Sequence, residues 1–153
     1  MLPKARDLDP ETKELIISLL PRTGADFVRK IGFKSAIDLF NEFGGTTWQF
    51  SRRASGNAIA AKRFQEMADV VGEDNALRLA DEFGYDSIYI PSCKRAMDAL
   101  RKRLIVAEFD EMTKVISVRE ATNQLVRRYR ISHSAINRCV NAGALPNRAK
   151  TNP

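Results

Sequence analysis

From Pro10 onward, short stretches of helical hydrophobic spacing alternate with glycine breaks. Pro10 followed by ETKELIISLL predicts a first helix, with Asp9 as N-cap, acids in the first turn and Pro21 as its stop. In GADFVRKIGFKSAIDLFNEFGG, the apolar positions Phe27, Val28 and Ile31, then Ala36, Ile37, Leu39, Phe40 and Phe43, recur at helical spacing. Gly32 divides them into two short helices, and Gly44-Gly45 closes the second. The next residues, TTWQF, are β-branched and aromatic and predict a short strand containing Thr47, Trp48, Gln49 and Phe50. A turn-like RRASGN follows, then a helix over about Ala58 to Val71, a break at Gly72, and a strand, SIYI, containing Ile88, Tyr89 and Ile90.

The second series echoes the first. Aligning residues 26–53 with 66–93 gives identities at Gly32/Gly72, Ala36/Ala76, Leu39/Leu79, Glu42/Glu82, Phe43/Phe83 and Gly44/Gly84. Conservative pairs lie between them, among them Ile31/Val71, Asp26/Glu66 and Ile37/Leu77. Both helix-ending glycines recur at one offset, which is more than shared helix chemistry supplies, and the pattern reads as an internal duplication. Each copy offers one strand, whose unpaired N–H and C=O groups need a partner. Either copy pairs with copy in one chain, as an antiparallel two-stranded ribbon with packed helices, or each strand pairs with one from a second chain.

After Pro91, CKRAMDALRKRLIVAEF predicts an amphipathic helix over 93–109. Ala96, Met97, Leu100, Leu104, Ala107 and Phe109 form its inner stripe, and Lys94, Arg95, Arg101, Lys102 and Arg103 its basic face. Charge is unevenly placed around this point. Residues 1–87 hold 12 Lys/Arg against 14 Asp/Glu, and residues 88–153 hold 13 against 5, within a net charge of +6. A basic half joined to a near-neutral one fits a nucleic-acid module attached to something else.

Residues 117–141, SVREATNQLVRRYRISHSAINRCVN, supply the matching pattern. Ser117 caps a helix with apolar Val118, Ala121, Leu125 and Val126 that ends near Tyr129. RIS makes a turn with Ile131 buried. Ser132 then caps a second helix whose inner face holds Ile136 and Val140, ending over Asn141-Ala142-Gly143. This is helix-turn-helix spacing. The outer face carries Ser132, His133, Ser134, Asn137 and Arg138. Arg reaches two acceptors on guanine, Asn pairs with adenine, and Ser or His make single contacts. Arg127, Arg128, Arg130, Arg148 and Lys150 flank that face, Arg130 standing where such turns usually place glycine.

Other chemistry is thin. His133 is the only histidine, with no second ligand near it for zinc and no nucleophile at a telling spacing. Asp81-Glu82 and Asp110-Glu111 read as surface charge, and Gly44-Gly45 lacks the length and the Lys of a phosphate loop. The expectation is a protein that is not an enzyme and takes no cofactor or metal. The run LIISLL is too short to span a bilayer, and Cys93 and Cys139 are expected to be reduced, which together predict a cytoplasmic protein.

From Leu79 to Asn141 the chain resembles the Mor/C family of transcription activators from Mu-like bacteriophages. The residues that carry the resemblance are Gly84, Ile88, Tyr89, Ile90 and Pro91, then Arg101, Ile105 and Phe109, then Leu125, Tyr129, Ile131 and Ser132. The resemblance implies a dimeric α+β regulator with an N-terminal dimerisation region, a strand paired across a two-fold axis, and a C-terminal helix-turn-helix on double-stranded DNA. It also implies work with the RNA polymerase of a bacterial host. Three departures stand out: Gly84-Tyr85 replaces a Gly-Gly pair, the segment from Phe109 to Tyr129 is longer, and the unit occurs twice.

The expected architecture is therefore α+β and mainly helical. Residues 1–111 form the duplicated region, with copies at about 26–53 and 66–93, and residues 112–153 form the helix-turn-helix with a basic tail. The chain is either a pseudo-dimeric monomer or a homodimer. The competing expectation is a protein-interaction module, an inhibitor or adaptor that keeps this fold without productive DNA contact.

Overall fold

The computed structural model describes residues 8–50, 57–84 and 86–142. They are mainly helical, with one two-stranded sheet, and fall into two compact units divided between Met97 and Asp98.

The first unit opens with α1 (Pro10–Ser18). Asp9 stands at its N-cap in extended conformation but makes no side-chain cap hydrogen bond. The helix also ends before Pro21. Leu20 N–H donates to Ile17 O at 3.1 Å, a tighter final turn, and Pro21 becomes the N-cap of α2 (Arg22–Ile31). Gly32 separates α2 from α3 (Phe33–Phe43) at φ 86°, ψ 163°, a region open in practice only to glycine. β1 (Thr46–Gln49) follows.

The same order then repeats. α4 (Ala58–Val71) is capped by Asn57, whose side chain accepts the Ile59 N–H at 2.9 Å. Gly72 takes φ 92°, ψ 154° before α5 (Glu73–Phe83), and β2 (Ser87–Ile90) comes next. β1 and β2 pair antiparallel, with Thr46 opposite Ile90, Thr47 opposite Tyr89, Trp48 opposite Ile88 and Gln49 opposite Ser87. The two strands of one chain thus pair with each other.

Phe50 lies outside this ladder, contrary to the expectation that it belongs to the strand. Its ring is buried and stacks on Phe83 at 5.1 Å, so burial of a large apolar side chain ends the strand one residue early. Around it, α2 packs on α5 and α3 on α4. Phe27, Ile31, Ala36 and Leu39 are buried from α2 and α3, and Met67, Val71, Ala76 and Leu79 from α4 and α5. Phe27 meets Phe40 edge-on at 6.2 Å and Phe83 at 5.7 Å. One aligned pair parts company: Ile37 is fully buried, whereas Leu77 is exposed.

α6 (Lys94–Met112) begins in the first unit and supplies residues to the second, joined there by α7 (Val118–Tyr129) and α8 (His133–Ala142). Ile105 and Phe109 from α6, Ala121, Leu125 and Tyr129 from α7, and Ile136 and Cys139 from α8 form one apolar cluster. Three details differ from the spacing-based reading. Ala107 is exposed, and Ile105 takes the inner position. Val118 is 61% exposed, because the first turn of α7 stands clear of the cluster. On α8 the fully inward step runs from Ile136 to Cys139, leaving Val140 half-buried, as a period between three and four permits.

Candidate nucleic-acid interface

Local hydrogen bonds set the geometry of α7 and α8. The Ser117 hydroxyl accepts the Glu120 N–H at 3.1 Å and starts α7. Ala121, Leu125 and Tyr129, each four residues apart, then bury one stripe. At the other end, the Arg130 N–H donates to Val126 O at 2.9 Å while Arg130 itself is left-handed, at φ 58°, ψ 40°. That single residue turns the chain. Ile131 is half-buried against the cluster, and the Ser132 hydroxyl accepts the Ala135 N–H at 3.1 Å to start α8.

With Ile136 and Cys139 turned inward, Ser132, His133, Ser134, Asn137 and Arg138 are all exposed. Ser134, Asn137 and Arg138 follow helical spacing along one face. His133 has a further partner: its Nε2 lies 2.7 Å from Asn123 Oδ1 on α7, a donor position when that nitrogen carries the proton. The bond ties the first turn of α8 to the exposed face of α7. Sequence reasoning missed Asn123, because the two residues are ten apart and on different helices.

The arginines are not equivalent. Gln124, Arg127, Arg128 and Arg130 line an open, mostly polar cleft of about 610 Å³ beside the turn. Arg128 is partly engaged, its Nη1 lying 3.1 Å from Glu108 Oε1 on α6. Burial, and then the charge of Glu108, push the phenol of the neighbouring Tyr129 well above its ordinary pKa, so it stays protonated. A second groove of about 320 Å³ runs between α6 and α8, with Arg101, Lys102 and Arg138 on its walls and Ile131 and Cys139 among its apolar lining. Asp98 approaches Arg101 at 3.6 Å there. Arg148 and Lys150 lie outside the described residues. Among the described residues, no cluster of His, Cys, Asp and Glu could hold a metal ion, and no helix is long and apolar enough to cross a membrane.

A positively lined cleft and an exposed polar helix face, both carried by one sealed core, are an arrangement suited to a polyanion with readable edges. Comparison with protein families gives a match. The model of the Mor transcription activator family matches residues 53–150. The chain belongs to this family. It is a family of transcription activators, not of enzymes. No curated protein and no solved structure matches the chain. The Mor match takes in α4 to α8 and β2, while α1, α2, α3 and β1 stand upstream of it.

Proposed function

We propose that α7, the Arg130 turn and α8 form a helix-turn-helix that reads double-stranded DNA, and that the chain is a phage or prophage transcription regulator. In this reading it is an activator that works with host RNA polymerase in the cytoplasm of a bacterial host. The observation that carries the proposal is the division of α8 into two faces. Ile136 and Cys139 are sealed, while Ser134, Asn137 and Arg138 are presented outward, in a unit that also carries the cleft lined by Arg127, Arg128 and Arg130. Asn and Arg are the side chains that make two-point contacts with adenine and guanine in the major groove. Arg127 and Arg130 would then sit on phosphates, which position the duplex without reading it. Residues 26–53 and 66–93 are two copies of one helix–helix–strand unit in this proposal, the first lying almost wholly upstream of the family match.

Binding to a duplex selected from a random pool tests the reading. Asn137→Ala combined with Arg138→Ala should reduce affinity for the selected duplex by about 1–3 kcal/mol per lost contact and leave random duplex nearly untouched. Equal losses on both would contradict base reading by α8. An absence of duplex binding even at low salt would instead favour the adaptor role.

A further inference from the structure

The register of the ribbon and the packing beneath it point to the valency of the molecule. If copies 26–53 and 66–93 are related by a two-fold axis, each residue corresponds to the one forty positions later. A residue can meet its own counterpart only on that axis, and every other contact must occur twice, in reciprocal form. Two such self-contacts are present. Trp48 stands opposite Ile88 in the ladder, and Asn75 Nδ2 donates to Ser35 Oγ at 3.0 Å, between residues forty apart. Reciprocal contacts flank the centre of the ladder as well, although Thr46–Ile90 at its end has no counterpart, Phe50 lying outside. Thr47 faces Tyr89 and Gln49 faces Ser87, each pair being the other with its copies exchanged. α2 packs on α5 as α3 packs on α4, and Gly32 and Gly72 share a backbone conformation reserved for glycine.

A two-fold contact of this kind is the usual way for two identical chains to join. Here one chain supplies both sides, so the ribbon is already closed without a second molecule. Among the described residues the reading helix is not duplicated: α7 and α8 occur once, after both copies. We infer that the protein acts as a single-headed monomer whose DNA target is one asymmetric half-site, not an inverted repeat. The inference rests on the proposed reading of α8 and adds the symmetry of the ligand to it.

Three measurements on the full chain test it together: light scattering at micromolar concentration, selection from a random duplex pool, and the mass of the resulting complex. The expected result is one chain in solution, one chain per duplex, and a selected motif without two-fold symmetry. Joining a second, inverted half-site about one helical turn away (roughly 34–36 Å) should raise apparent affinity only about twofold, the statistical factor. A gain of roughly 10²–10⁴ would mean two linked heads and overturn the inference. A stable dimer in solution, or two chains on a palindromic motif, would overturn it while leaving DNA reading intact. A monomer that binds no duplex would overturn the functional reading and the half-site with it.

Discussion

Arg130 shows how much one residue can carry. A left-handed L-residue crowds its Cβ against the following carbonyl, at a cost of about 1–2 kcal/mol, and glycine avoids that crowding. Arg130→Gly should therefore raise stability by about 0.5–1 kcal/mol in chemical denaturation, after the extra backbone entropy of glycine is subtracted. If the side chain sits on a phosphate, the same variant should flatten the salt dependence of duplex binding by about 0.9 in log–log slope. Cys93 supports a second prediction at this scale. Burial pushes its thiol from 9.0 up to about 11, so the unfolded chain ionises first as pH rises. Its contribution to stability is complete below pH 9.0 and lost between there and about pH 11. Melts of Cys93→Ala beside the native chain should show their gap narrowing across that window. Of the local features, the Ser117 and Ser132 caps were legible in the sequence because a cap needs only its own next three residues. The His133–Asn123 bond was not, since only tertiary packing brings α7 and α8 together.

Elements were legible where glycine punctuates them. The breaks at Gly32 and Gly72 and the helix end at Phe83 fall where the spacing places them, because Gly32, Gly72 and Gly84 take positive-φ angles that other residues adopt only at a cost. At Gly44, which ends α3 with an ordinary backbone, glycine is needed for space, since a Cβ there would meet the Phe40 carbonyl oxygen. The end of α1 was harder to see, since proline marks where a helix cannot continue and not where it stops. Phe50 misled for a related reason: β-propensity favours an aromatic in a strand, but core burial outweighs one ladder position. In the three-helix cluster, Leu125 is fully buried at the centre of the α7 stripe. Leu125→Ala should cost about 2–5 kcal/mol and remove duplex binding along with folding of this unit. Ser132→Ala, which removes the cap of α8, should cost about 1 kcal/mol and leave the fold in place. Comparing the two by circular dichroism and binding separates loss of the platform from loosening of α8.

At the scale of the whole molecule, charge divides the sequence, near-neutral before residue 88 and strongly basic after it. It left open whether each strand finds its partner at home or in a second chain, because pairing is a long-range event without a local signature. The intrachain register settles where β1 and β2 meet. That pairing also changes how the molecule depends on its own abundance. An assembly of two chains falls apart on dilution, and its melting point follows protomer concentration. A ribbon whose two strands share one backbone forms in a first-order step, so its melting point should not move over a thousandfold range of protein, to order of magnitude. A handful of molecules in a cell would be as fully assembled as a concentrated solution.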